Sequence, residues 1–150
     1  MNDDFVTAGV NLQFSYAAGA AASRFLCALR DEQKIFGARC PECRRVLAPA
    51  RSFCPRCFVE TNEWLEVGPG GTLGAFVAPP FAQLLEPTLT LALIQLDGAD
   101  TALVHRLGEF DAPMLRRGLR VVPVFAASRR GHILDLAYFK PVELDNAHSI

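Results

Sequence analysis

The sequence is short of most features that would assign it to a familiar functional class. Its 15 Lys and Arg are offset by 16 Asp and Glu, for a net charge of −1. It therefore lacks the strongly basic surface on which general nucleic-acid binding rests. No uninterrupted apolar run reaches the length of a spanning helix, so no membrane association is expected. The opening MNDDFVTAG carries two acids and no basic stretch, unlike a secretory signal, and a cytoplasmic setting is expected. Gly-x-Ser-x-Gly, phosphate-loop and dinucleotide fingerprints are missing, as are repeats and low-complexity tracts. Histidine is scarce: His105, His132 and His148 are the only three. A nucleophile needs a base within reach and a third group to orient it. No such constellation is legible, and independent catalysis is not expected.

What is abundant is apolar surface. Hydrophobic residues make up 51% of the chain and charged residues only 21%. That is too apolar for disorder, and it suggests that a partner covers some surface that a small core cannot enclose.

Cysteine carries the most chemistry. Cys40, Cys43, Cys54 and Cys57 form Cys-x2-Cys-x10-Cys-x2-Cys within GARCPECRRVLAPARSFCPRCF. Two such knuckles can place four thiolates around one ion, which would leave no open coordination position and make a zinc there structural. Two disulfides, a redox pair and rubredoxin-type iron use related spacings. A cytoplasmic chain disfavours disulfides, and a redox motif needs one Cys-x-x-Cys at a helix start rather than two. One ion held by all four cysteines is expected, with Zn2+ favoured over iron. Cys27, in FLCALRD, reads as a small buried hydrophobe.

The rest of the chain divides around this motif. Residues 1–36 read as a polar-tipped tail and a helical arm, with Phe25, Leu26 and Leu29 at helical spacing. Residues 37–63 form the ribbon. Its Arg39, Arg44, Arg45, Arg51 and Arg56 face the single acid Glu42 in the Arg39–Arg56 stretch. Residues 64–143 carry β signals in Leu65–Ala78, Leu89–Leu96, Thr101–Leu107, Leu119–Ala127 and Ile133–Phe139. Gly68–Gly71, Pro79–Pro80, Asp97-Gly98, Gly118 and Arg130-Gly131 break these runs. Asp97-Gly98 predicts a hairpin turn, and Pro123 demotes its strand to an edge or a bulge. Five short strands fit a five-stranded OB-fold barrel. Residues 144–150 read as a tail. The predicted class is mainly β: helical arm, four-Cys rubredoxin-like zinc ribbon, then barrel. From Leu65 to Pro141, seven basic residues meet seven acidic ones, so the barrel shows no basic groove.

The combination of arm, CPEC, LAPAR, FCPRC, Trp64, GGTL, ALIQLDG, RRGLRVVPVF and the closing Phe139-Lys140-Pro141 resembles the zinc-ribbon/OB-fold acyl-CoA-associated family, formerly a domain of unknown function. The resemblance covers roughly residues 14–142 and departs from the family's frequent Pro-Pro-Arg at Ala50. It implies a small accessory subunit of a thiolase-type acyl-CoA complex, with Claisen-type chemistry on the larger subunit. The expected partner is thus a thiolase-like catalytic subunit, with acyl-CoA or coenzyme A near the interface. Arg44, Arg45 and Arg51 are the candidate contacts to coenzyme phosphates, since guanidinium forks suit phosphate. Phe14, Tyr16, Phe25, Leu26 and Leu29 are the candidate docking residues, because an isolated helix of this length is marginal in water. The competing arrangement has the arm folding back to complete the chain's own core. The competing function is a small ribbon/OB nucleic-acid binder, which would stack bases on aromatics in a basic groove.

Overall fold

The computed structural model describes residue 9 and residues 11–78 and 89–142. His148, Pro79–Pro80 and the expected tail at 144–150 lie outside them. No helix among the described residues is long and apolar enough to cross a membrane.

The arm's helix α1 is shorter than the sequence predicts, spanning Ala20–Asp31. Gly19, at φ 81°, precedes it in a backbone conformation that favours glycine, and the helix begins only there. Leu12–Gly19 is not helical, and Leu12, Phe14 and Tyr16 stand 77%, 79% and 81% exposed. The apolar face of α1 instead turns inward. Phe25 and Leu29 are 3% and 0% exposed and join the main core, with Leu26 packed against it. Two expectations are thereby corrected. Phe25 and Leu29 are unavailable for docking because they complete this chain's own core. Cys27 lies on the outer side of the helix and is exposed rather than buried.

A three-stranded antiparallel sheet follows, in the order β2-β1-β3, from β1 (Ile35–Arg39), β2 (Val46–Leu47) and β3 (Glu63–Val67). The run Leu65–Ala78, expected to be one strand, is two. Its first part completes the ribbon sheet, with Gly37 opposite Leu65, and Gly68–Gly70 turns the chain into the barrel.

The barrel is closed in the order β4-β5-β6-β8-β7, from β4 (Gly71–Val77), β5 (Thr90–Leu96), β6 (Ala102–Leu107), β7 (Arg120–Phe125) and β8 (Leu136–Pro141). All pairings are antiparallel except β6 with β8, giving the five-stranded arrangement expected. Inward positions alternate along β5: Thr90, Ala92, Ile94 and Leu96 are buried. Gly98, at φ 81°, makes the predicted turn between β5 and β6. Pro123 costs no ladder bond on the β4 side, because β7 pairs with β4 only through Val121 and Arg120 and has left it by Pro123.

One apolar core links the layers. Phe25 and Leu29 of the helix, Ile35, Ala38, Val46 and Val67 of the ribbon sheet, and Leu73, Ile94, Val121, Leu136 and Phe139 of the barrel belong to a single cluster. A polar clamp adds to it at the edge of β2. Asp100 accepts the Val46 N–H at 2.8 Å and its own N–H donates to the Val46 carbonyl at 2.8 Å, while Thr101 Oγ1 both accepts from Ala48 N–H at 2.8 Å and donates to the Ala48 carbonyl at 2.9 Å.

Candidate metal centre

Cys40, Cys43, Cys54 and Cys57 converge. Their four sulfurs lie within 4.8 Å of one another, and Cys43 Sγ is 3.8 Å from Cys54 Sγ. A tetrahedral ion with metal–sulfur bonds of about 2.3 Å sets sulfur–sulfur edges of about 3.8 Å. A disulfide would need about 2.05 Å and two separate pairs. The donor set therefore fits one ion, and four thiolates leave no open position for water or substrate.

The knuckles are related by a repeat in the backbone. Cys40 N–H donates to the Arg45 carbonyl and Arg44 N–H to the Cys40 carbonyl, at 2.9 and 3.1 Å. Fourteen positions on, Cys54 N–H donates to the Val59 carbonyl and Phe58 N–H to the Cys54 carbonyl, both at 2.9 Å. The residue after each second cysteine is left-handed: Arg44 at φ 61° and Phe58 at φ 58°. Neither Cys-x-x-Cys begins a helix, unlike a thioredoxin-type redox motif.

The main chain also prepares the sulfurs for a cation. Cys43 N–H lies 3.5 Å from Cys40 Sγ. The Cys54 thiol is held down to about 7, first by the Cys57 backbone N–H and then by that of Arg56. Burial, followed by the neighbouring thiols, pushes the Cys57 thiol up to about 12. The thiols must lose their protons to bind an ion, so metal uptake would release protons. Leu47, 1% exposed, forms one buried apolar cluster with Cys40 and Cys54.

The arginines expected at coenzyme phosphates differ in their partners. Arg44 Nη1 lies 3.4 Å from Glu63 Oε2, and Arg39 Nη1 lies 2.7 Å from Glu63 Oε1. Arg45 Nη2 donates to the Asp100 carbonyl at 3.0 Å. Among the described residues, the guanidinium groups of Arg51 and Arg56 meet no acceptor. Of the docking candidates, Phe14 and Tyr16 remain exposed, with ring centroids 6.1 Å apart. Asp100 and Thr101, which tie the ribbon to the barrel, were missed in the sequence because only the Asp-Gly of DGADT was read as a turn signal.

His105 is enclosed in the barrel at 5% exposure. Its Nε2 lies 3.3 Å from the Ile133 carbonyl, an obligate acceptor, so Nε2 carries the proton. Nδ1 is left buried without a partner, and the ring packs edge-on to Phe139. This is a core histidine rather than a base open to substrate.

Comparison with known proteins follows the same division. Residues 28–63 match the model of the ChsH2 rubredoxin-like zinc ribbon domain. No curated protein matches the chain. Among solved structures, the chain is similar to a protein of unknown function from the DUF35 family of Sulfolobus solfataricus, at 23% identity and TM-score 0.58, over 71% of this chain and 78% of that one. It is also similar to a chain of the Ltp2-ChsH2(DUF35) aldolase, at 21% identity and TM-score 0.60, over 85% of this chain and 98% of that one. These likenesses show the fold: a zinc ribbon joined to an OB-type barrel. The ribbon match and the four converging sulfurs together support one structural zinc.

Proposed function

We propose that this chain is a non-catalytic accessory subunit of a thiolase- or aldolase-type acyl-CoA complex, bracing a larger catalytic subunit. The observation that carries this reading is the likeness to a chain of the Ltp2-ChsH2(DUF35) aldolase along 98% of that chain, ribbon and barrel together. The chemistry of the described residues agrees with it. The metal site is coordinatively closed, His105 is enclosed, and the exposed Cys27 has Arg30 at 3.9 Å rather than a base. The candidate coenzyme A contacts in this reading are Arg44, Arg45 and Arg51, of which Arg44, 62% exposed, has a 3.4 Å contact to Glu63 and Arg45 donates to the Asp100 carbonyl.

Nucleic-acid binding is the second reading, and the barrel's outer face opposes it. OB folds bind oligonucleotides across the sheet surface of their second and third strands. Here the positions facing outward on β5 and β6 include Leu91, Leu93 and Val104, with Val77 opposite Leu91 on β4. Among the described residues no aromatic ring lies at these outward positions; Phe76 of β4 is 43% exposed, and Arg106 of β6 is exposed opposite Leu91.

Isolation of the tagged full-length chain from the organism that encodes it tests the assignment. A stoichiometric thiolase- or aldolase-like subunit should co-purify, and acyl-CoA turnover should require both chains. A chain that turns over acyl-CoA alone overturns the reading. So does one that retains no such subunit, and sub-micromolar binding of single-stranded DNA in physiological salt would then favour the second reading.

A further inference from the structure

The two knuckles share a backbone but differ in what they do with their strained residue. A left-handed conformation is costly for any residue with a Cβ, and both knuckles adopt it just after the second cysteine. In the first knuckle the residue is Arg44, whose guanidinium reaches Glu63. In the second it is Phe58, which is 82% exposed and serves no core within the chain. Phe53, on the same loop and paired with Glu60 across an isolated bridge, is 61% exposed. Arg51 and Arg56 flank these rings in sequence, and among the described residues neither meets a carboxylate. The second knuckle therefore presents bare aromatics and, among the described residues, unpaired positive charge, on a backbone that an ion in the four-cysteine site would hold rigid.

We infer that Phe58 is the anchor by which the second zinc knuckle docks, seated in an apolar pocket with an acidic rim on the catalytic subunit. The inference rests on the accessory reading above and names the surface that reading needs. Aromatic and arginine side chains are the usual carriers of interface energy, and a ring on a rigid loop loses little freedom on binding. The acidic rim follows from charge: Arg56 gains a partner in the complex that the free chain does not offer, while Arg51 keeps the coenzyme-phosphate role given above. The main competing role for Arg56 is within the chain, offsetting the two negative charges that four thiolates leave on a divalent ion.

Strain and docking move Phe58 variants in opposite directions, and this makes the test sharp. The catalytic subunit identified by isolation is produced with the full-length wild-type chain, Phe58→Gly or Arg56→Glu. Affinity is measured at low and high salt, and zinc content and melting temperature are measured on the free chain. Phe58→Gly should bind at least tenfold more weakly, while the free chain melts about 2–4 °C higher as the strain is relieved. Arg56→Glu should keep its zinc and bind more weakly, with a deficit that narrows as salt rises. Undiminished binding by Phe58→Gly overturns the anchor, as does a lower melting temperature accompanying its loss of binding. Loss of zinc from Arg56→Glu, or undiminished binding by it, overturns the acidic rim. If the wild-type chain retains no catalytic subunit, the accessory reading itself fails and this surface with it.

Discussion

Helix α1 offers the clearest test of how the chain is held together. Leu29 is fully enclosed and Phe25 is 3% exposed, both packed with ribbon-sheet and barrel residues in one cluster. Truncating a buried leucine to alanine costs roughly 2–5 kcal/mol and a buried phenylalanine roughly 3–5 kcal/mol, because a cavity remains where the side chain stood. Whole-domain stabilities are only about 5–15 kcal/mol, so either change removes a large share. For a chain of this length, about 3 kcal/mol at Leu29 corresponds to a fall of roughly 6–12 °C in melting temperature. Phe14→Ala and Tyr16→Ala, at 79% and 81% exposure, should stay within about 0.5 kcal/mol of the wild type. Urea unfolding followed by tryptophan fluorescence reads this directly. Trp64 is the sole tryptophan, and the Arg24 guanidinium of α1 lies over its ring, 4.6 Å from the centroid. Helix release and ribbon unfolding therefore report through one probe. A Leu29→Ala loss below about 1 kcal/mol, with wild-type emission, would refute the packing argument. It would return the helix's apolar face to the pool of docking surfaces.

Three further outcomes are expected. Metal analysis should find one zinc per chain, and Cys54→Ser should lose both metal and ribbon order, because binding free energy in such a site is part of folding free energy; unchanged metal content would count against four-thiolate ligation. Burial holds the His105 imidazole below its ordinary value, so its contribution to stability is complete above about pH 6.5 and declines as pH falls through that value towards the lowered one; urea midpoints between pH 7.5 and 5.5 should show the slope, and His105→Leu should flatten it. Asp135→Asn should cost about 1–3 kcal/mol in the same assay, since the Asp135 carboxylate accepts the backbone N–H groups of Arg130, Gly131 and His132 at 2.6–3.1 Å, and a null effect would mean that this loop closes without the charge.

Legibility in the sequence followed the range of the interactions concerned. Cys-x2-Cys-x10-Cys-x2-Cys is a local pattern whose chemistry admits few geometries, and the four sulfurs meet as the spacing requires. Strands β5 and β6 were visible because alternation and Asp97-Gly98 are also local. The helix limit was not, because alanine-rich propensity extends across SYAAGAAAS while burial against β1 begins only at Ala21. Propensity alone sustains little helix in water, and tertiary packing set the boundary. Strand β3 joined the ribbon sheet rather than the barrel through its pairing with β1, residues some 28 positions away, a distance over which periodicity carries no information. The arginines separate the two cases most sharply. Composition alone made them one basic group, yet Glu63 takes Arg39 and Arg44 and the Asp100 carbonyl takes Arg45. Only the folded register shows which charges remain free. The same register reveals that CPECRR and CPRCFV are two copies of one turn, and that Phe58 stands where Arg44 does. A glycine would satisfy that backbone more cheaply at either position. At Arg44 the cost comes with an ion pair inside the chain. At Phe58 it comes with an aromatic ring in solvent, and that imbalance is a physical reason to look for the ring's partner on another molecule.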